Sequence, residues 1–104
     1  MDVSLLSGML AKQLLRFSPN NLSRIFFCNS GTESIEAAIK FSRYTIKRKK
    51  IVFCENGYHG LILGSLSLNG GNLFREGFGP LLPDCISVPF NDLDALEKVL
   101  KKKM

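Results

Sequence analysis

The stretch Phe26–Glu33, FFCNSGTE, decides the fold that this sequence predicts. The apolar run of residues 24–28 is typical of a buried strand, and a long helical pattern follows at once. Ser30 and Glu33 have the spacing of a capping box, in which the Ser hydroxyl and the Glu carboxylate accept hydrogen bonds from free backbone N–H groups at a helix start. This stretch therefore predicts a strand, a tight turn and a capped helix.

The turn of residues 30–32 also has the features of an anion site. Gly31 lacks a Cβ, so the backbone there can come close to a ligand. The first turn of the following helix presents unpaired N–H donors and a partial positive charge, which suit a phosphate. The alternative is an ordinary capped turn without a ligand, and the local sequence leaves both open.

Outward from this turn, helical periods alternate with short apolar runs. Helices are predicted over Val3–Phe17, after Gly31 and through Ile35–Ile46, over Leu61–Leu68 and after Asn91-Asp92. Strands are predicted near Ile25–Cys28, Ile51–Cys54 and Ile86–Val88. Continuous apolar strands separated by helices are typical of a parallel sheet with both faces covered. The prediction is an α/β fold over residues 1–104, with three layers and a mostly parallel sheet flanked by helices. Within the second helix, Glu36 and Lys40 are expected to form an ion pair on the exposed side.

A second polar loop, residues 55–60, follows the strand of residues 51–54. Its two glycines frame Tyr58 and His59. Ligands of open α/β sheets bind at the carboxyl ends of the strands, so this loop and the turn of residues 30–32 are expected at the same edge. The alternatives are a half-buried loop aromatic for Tyr58 and a structural histidine for His59.

Composition and charge exclude several function classes. At 104 residues and 45% hydrophobic content, the chain has the size and the apolar material of one small domain. The formal net charge is +5, and two blocks, residues 47–50 and 101–103, hold seven of the 14 basic residues. Each block follows a helical pattern, where cations complement the helix dipole. Without an interleaved aromatic surface they form a poor nucleic-acid footprint, so no nucleic-acid partner is predicted.

The cysteines bear on metal binding, and the cysteines and the N-terminus bear on the cellular compartment. Cys28, Cys54 and Cys85 have no C-x-x-C spacing and His59 is the single histidine, so no metal site is predicted. Cys28 and Cys54 lie in apolar runs and are expected to be small buried hydrophobes. The odd cysteine count is compatible with a reducing cytosol. No apolar segment approaches the roughly 20 residues of a membrane span and no signal peptide is visible, so a cytoplasmic protein without a membrane partner is expected.

Four blocks of the chain carry a family resemblance. They are FFCNSGTESIEAAIKFSR, CENGYHG, LGSLSLNG and FREGFGPLLPDCISVPFNDLDALEKVL. In order and spacing they resemble the class-III pyridoxal-phosphate aminotransferases, in particular the acetylornithine, ornithine and putrescine aminotransferases, over about Leu14 to Leu100. The resemblance implies that residues 1–104 are a fragment of the large, cofactor-binding domain of fold type I, without a separate second domain. It also implies a homodimeric enzyme that moves an amino group from an ω-amino donor to a keto acid.

The resemblance assigns cofactor-binding roles to five residues. Gly31 and Thr32 are expected to donate backbone N–H groups to the phosphate of pyridoxal 5′-phosphate, with the Thr32 hydroxyl and Ser30 assisting. Tyr58 is expected to stack on the pyridine ring, and His59 to support that platform. A helix start for a phosphate and a π-face for a flat heterocycle agree with the local physics.

Departures from the family pattern limit the expected chemistry. The family's catalytic lysine, the aspartate that contacts the pyridine nitrogen and the arginine that binds the substrate carboxylate all lie downstream of these motifs. No catalytic residue is therefore assigned here, and the chain alone is expected to be inactive. Acetylornithine aminotransferases carry an arginine directly after the His-Gly pair, where this chain has Leu61, which leaves diamines and other ω-amino donors more open.

Two function classes follow. The first is a piece of an aminotransferase, from a truncated or split reading frame. The second is a non-catalytic remnant or interaction module that retains only the phosphate-binding and ring-stacking parts of the site.

Overall fold

Short helices and strands alternate along the chain. The computed structural model describes residues 4–101. Within them the elements are, in chain order, α1 (Leu5–Arg16), α2 (Gly31–Ile46), β1 (Ile51–Cys54), α3 (Leu63–Leu66), β2 (Cys85–Val88) and α4 (Leu93–Lys101). Val3 of the predicted first helix and the basic residues Lys102 and Lys103 lie outside this range. No helix of residues 4–101 has the length and apolar character that crossing a membrane requires.

The sheet pairs β1 with β2 in parallel, across a connection that contains α3. Ile51 lies opposite Cys85, and the Glu55 N–H extends the ladder to the Val88 carbonyl at 2.8 Å. The predicted α/β class, with a parallel sheet and helices, is confirmed.

The segment of residues 25–28, predicted as a buried strand of this sheet, forms no strand. Phe26 is 65% exposed and Phe27 44%. The Phe26 ring packs edge-on against Phe41 of α2, with ring centroids 5.2 Å apart. A strand needs backbone hydrogen bonds from a neighbour, and the described part of the chain offers none to this segment. The prediction of a strand at residues 25–28 is wrong because an apolar run does not identify a neighbouring strand that could pair with it.

Burial along β1 falls off at its last residue. Phe53 is buried and Cys54 is exposed, whereas Ile51 and Val52, which point to opposite faces of the sheet, are both half-buried. The prediction that Cys54 is buried is therefore wrong. Cys28 is half-buried, and all three cysteines are free.

The core lies between α2, β1 and the segment after α3. Ile39, Phe53 and Leu68 form its centre. Partly buried side chains pack around them: Ile35, Ile51, Leu82 and Cys85. Residues 64–69 are all buried and join α2 to the sheet.

The predicted capping box opens α2, with one difference. The Glu33 N–H donates to Ser30 Oγ at 3.3 Å, as predicted. The Glu33 carboxylate reaches back to the Asn29 N–H at 3.1 Å rather than to that of Ser30. The helix ends at Ile46, and Lys47 is its left-handed C-cap at φ 63°, so the basic block closes the helix as predicted.

The Glu36 side chain binds a different partner from the one predicted. Its side chain is half-buried, and Oε1 accepts the Ser65 N–H at 2.6 Å. The expected ion pair with Lys40 does not form; in the described residues the one ion pair joins Glu97 to Lys101. The prediction is wrong because helical spacing does not reveal a backbone donor that tertiary packing brings from 29 residues away.

The C-terminal elements follow the prediction closely. α3 lies inside the predicted residues 61–68, and β2 ends at Val88, immediately before Pro89. α4 begins after Asp92, whose Oδ1 accepts the Ala95 N–H at 2.9 Å, which is the arrangement of a helix N-cap.

Candidate functional site

A cavity of about 710 Å³ brings the two predicted loops together. One wall is the start of α2 and the other is the loop after β1. Its lining comprises Gly31, Thr32, Ser34, Ile35, Tyr58, His59, Gly60 and Leu61. The two loops meet as expected, although residues 25–28 and β1 share no sheet. Ser30 is not part of the lining; it caps the helix that forms the wall.

The α2 wall presents free backbone donors. The amides of Glu33 and Ser34 bind Ser30, whereas those of Gly31 and Thr32 have no acceptor among the described residues. A Cβ added to Gly31 would meet no protein atom within 4 Å. The helix start therefore offers two unpaired N–H groups, the positive end of the helix dipole and open space beside them, which together suit an anion.

The opposite wall carries the aromatic ring of Tyr58. Tyr58 is 59% exposed, and Phe74 packs against it at 67° with ring centroids 5.5 Å apart. Edge-to-face packing of this kind orients an aromatic ring. The wall can therefore offer a flat π-surface to a ligand.

Asn69 holds the Tyr58 loop in place. Its Oδ1 accepts the His59 N–H at 2.6 Å, and its Nδ2 donates to the Gly60 carbonyl at 2.9 Å. Asn69 is 2% exposed, so these two bonds are shielded from water. No role was predicted for Asn69. The signal was the alternation Ser65, Leu66, Ser67, Leu68, Asn69, in which small polar residues interrupt an apolar run.

Gly60 permits the two walls to approach. Its φ is +120°, and a Cβ there would collide with the Thr32 side chain. The Thr32 hydroxyl, expected to assist the phosphate, lies 2.6 Å from Ser65 Oγ and accepts the Ile62 N–H at 3.3 Å. Thr32 therefore connects the two walls. His59 is half-buried in the same cavity.

None of the lysines in the described part of the chain lines the cavity. The basic block of residues 47–50 follows the far end of α2, and a 16-residue helix is about 24 Å long. Leu61 lines the cavity with 54% of its surface exposed. Within residues 4–101 no group of three or more His, Cys, Asp or Glu side chains is placed to hold a metal ion.

Known proteins are similar to this chain in sequence and in fold. The family pattern of class-III aminotransferases matches residues 4–103. The chain is 45% identical over 83 residues to the acetylornithine aminotransferase of Bacillus anthracis, a match that covers 80% of this chain and 22% of that protein. It is 44% identical over 96 residues to the aminotransferase PigE of Serratia sp., covering 92% of this chain and 11% of PigE.

A solved structure shows the same architecture. The omega transaminase of Pseudomonas jessenii in complex with PMP matches with a TM-score of 0.79 and 32% identity, over 85% of this chain and 21% of that one. The predicted fold, a piece of a pyridoxal-phosphate-dependent transferase, is thereby confirmed. The chain spans less than a quarter of the length of each of these relatives. On the match over residues 4–103, the chain belongs to the class-III aminotransferase family.

Proposed function

We infer that this chain supplies the phosphate-binding and ring-stacking parts of an aminotransferase site. Pyridoxal phosphate is the cofactor that family membership indicates. The observation that carries the proposal is the cavity in which the start of α2 faces the Tyr58-His59 loop. At about 710 Å³ it falls in the range of roughly 300–1,000 Å³ typical of small-molecule sites.

The side chains and amides present fit this cofactor. Gly31 and Thr32 donate their free N–H groups to the phosphate, and Ser30 holds the helix start that aims them. Tyr58 offers its ring to the pyridine, and His59 supports the Tyr58 loop. When bound, the cofactor supplies the electron-accepting ring that amino-group transfer requires.

The parent reaction that we propose moves an amino group from an ω-amino donor to a keto acid. The acetylornithine aminotransferase relative supports the donor class, which also includes ornithine and diamines. Leu61 places an apolar surface in the cavity, which offers no charge to a substrate carboxylate and favours donors without one there. Because no lysine of residues 4–101 lines the cavity, we expect the 104 residues alone to have no aminotransferase turnover.

A second candidate is a non-catalytic remnant that keeps the cofactor-binding surface without the chemistry. The radius of gyration is 16.3 Å, whereas a compact domain of this length has about 13 Å. Large apolar side chains on α1 are exposed: Leu5, Leu6, Met9, Leu10 and Leu14. This shape suits a chain that packs against further protein. Restored turnover after adding a lysine-bearing remainder of a related enzyme distinguishes the first candidate from the second.

We also propose that the assembled enzyme is a cytoplasmic homodimer. The three free cysteines suit a reducing compartment, and the exposed α1 leucines supply apolar surface for an interface. Light scattering after size exclusion reports the oligomeric state directly.

Calorimetric titration of the 104-residue chain tests the proposed binding site. We expect weak, reversible binding of both inorganic phosphate and pyridoxal phosphate, with the cofactor tighter because it also contacts Tyr58. A chain that binds neither ligand would contradict the proposal.

A further inference from the structure

Three hydrogen bonds, two of them between the cavity walls, form a closed ring through Thr32, Ser65 and Ile62. Ser65 Oγ donates its single proton to the Ile62 carbonyl at 2.9 Å. The 2.6 Å contact between Thr32 Oγ1 and Ser65 Oγ must then carry the Thr32 proton. The Ile62 N–H donates to Thr32 Oγ1 at 3.3 Å and closes the ring. The Thr32 hydroxyl proton is thus already used in a hydrogen bond within the protein. The donor that Thr32 can still offer to a ligand is its backbone N–H.

Glu36 adds a charged bond one helical turn further along α2. Its Oε1 accepts the Ser65 N–H at 2.6 Å. The carboxylate lies directly over Gly64, where an added Cβ would collide with both of its oxygens. Thr32 and Glu36 are four residues apart and therefore lie on one face of the helix. Both bind Ser65, which is completely buried.

These contacts connect the two halves of the proposed cofactor site. Thr32 is also part of the phosphate-binding turn, and Ile62 and Ser65 follow Leu61 in the segment that carries the opposite wall. We propose that Thr32, Glu36 and Ser65 form a polar clasp that sets the distance between the phosphate-binding turn and the Tyr58 ring. Glu36 and Ser65 are then positioning residues for the cofactor. This inference rests on the proposed function.

A clasp of this kind acts on the connection between two binding contacts and leaves each contact intact. A ligand that spans both halves gains from their fixed spacing, because its second contact forms at a high effective concentration. Inorganic phosphate engages the turn alone, and pyridoxine, which lacks the phosphate, engages the ring platform alone. The clasp therefore matters for pyridoxal phosphate and not for either half-ligand.

Titration of the full 104-residue chain with all three ligands tests the clasp. For Glu36→Ala we expect pyridoxal phosphate affinity to fall about tenfold or more, with phosphate and pyridoxine affinities unchanged. Glu36→Gln keeps the Oε1 acceptor and is expected to restore the parent's ratio of cofactor to phosphate affinity. Ser42→Ala, which removes a hydroxyl of α2 that bonds Ile39, is the matched control and leaves all three affinities unchanged. Amide hydrogen exchange at Ser65 is expected to accelerate in Glu36→Ala and not in the control.

Three outcomes with the Glu36 variants overturn the clasp. They are an unchanged cofactor affinity in Glu36→Ala, an equal loss for all three ligands, and a loss in Glu36→Gln as large as in Glu36→Ala. Should Glu36→Ala fail to fold, Glu36→Asp withdraws the carboxylate from Ser65 by one methylene and is read in the same way. A parent chain that binds neither phosphate nor pyridoxine contradicts the proposed function itself. A parent that binds both, yet binds pyridoxal phosphate no more tightly than phosphate, contradicts the fixed spacing that the clasp would set, whereas the two half-sites are still supported by their own ligands.

Discussion

Gly31 permits a direct test of the proposed phosphate-binding turn at the scale of a single residue. A Cβ added there meets no protein atom within 4 Å, so we expect the side chain of Gly31→Val to extend into the space proposed for the ligand. We expect phosphate binding to weaken by about tenfold or more, while the thermal unfolding midpoint stays close to that of the parent. Gly31→Ala, with one small methyl group, should show a smaller loss. If Gly31→Val binds phosphate as well as the parent does, the turn of residues 30–32 is only a helix cap.

Tyr58 tests the ring platform. Removing the ring in Tyr58→Ala is expected to weaken pyridoxal phosphate binding by roughly 1 kcal/mol, the value of one aromatic contact. Binding of inorganic phosphate should stay nearly unchanged, because that ligand does not reach the ring. Tyr58→Phe keeps the π-face and serves as the control in calorimetry. Equal cofactor affinity for Tyr58→Ala and the parent would show that Tyr58 does not stack on the ligand.

Cys85 gives a pH-dependent prediction. Burial raises the pKa of its thiol, and the Arg43 guanidinium, with Nη2 4.0 Å from Sγ, opposes that rise. Since the thiolate is the reacting form, iodoacetamide should modify Cys85 more slowly than the exposed Cys54. The reaction of Cys85 should also need a higher pH in the folded chain than in urea. Peptide mass spectrometry along a pH series measures both cysteines, and equal rates at every pH would contradict the raised pKa of Cys85.

The raised pKa of Cys85 also predicts how stability depends on pH. The free energy of unfolding should fall as the pH rises through that pKa, because the thiol of the unfolded chain loses its proton at a lower pH.

At the scale of an element, the end of α2 is strained. Lys47 caps the helix in the left-handed region at φ 63°, which costs a non-glycine residue about 1–2 kcal/mol. Lys47→Gly is therefore expected to stabilise the chain by about 1 kcal/mol, measured as a higher urea midpoint. Lys47→Ala loses the contact of the ammonium with the Tyr44 ring and keeps the backbone strain, so it should not be stabilising. A glycine variant no more stable than the alanine variant would show that the strain is absent.

At the same scale, local patterns predicted helix and strand ends better than partners. Ser30, Asp92 and the basic block after Ile46 bound their helices as expected, because capping depends on residues a few positions apart. Glu36 was assigned to Lys40 by the same local rule, and the fold gave it to the Ser65 amide instead. Spacing along one helix describes only the contacts within that helix.

At the scale of the whole molecule, we expect no lysine of this chain to bind the cofactor covalently. The described lysines lie outside the cavity lining, and residues 47–50 follow the opposite end of α2. Borohydride reduction with pyridoxal phosphate, followed by peptide mapping, should show only scattered low-level labelling of the basic blocks. The same treatment of an intact related aminotransferase is the positive control. One lysine modified stoichiometrically in this chain would contradict the expectation.

The sequence by itself determined the capped starts of α2 and α4, the apolar strands β1 and β2, and the two loops that line the cavity. It also carried the family resemblance, because the motifs around Ser30 and Tyr58 stand in the family's order. These features depend on residues close together in the chain, where propensity, capping and glycine chemistry act directly.

Only the tertiary structure decided which elements pair and which polar groups meet. It left residues 25–28 without a strand partner, exposed Cys54, and buried Asn69 against the Tyr58 loop. It also engaged the Thr32 hydroxyl with Ser65, 33 residues away. The physical reason is that a hydrogen-bonding group binds the partner that folding places within reach, and separation along the chain does not reveal that distance.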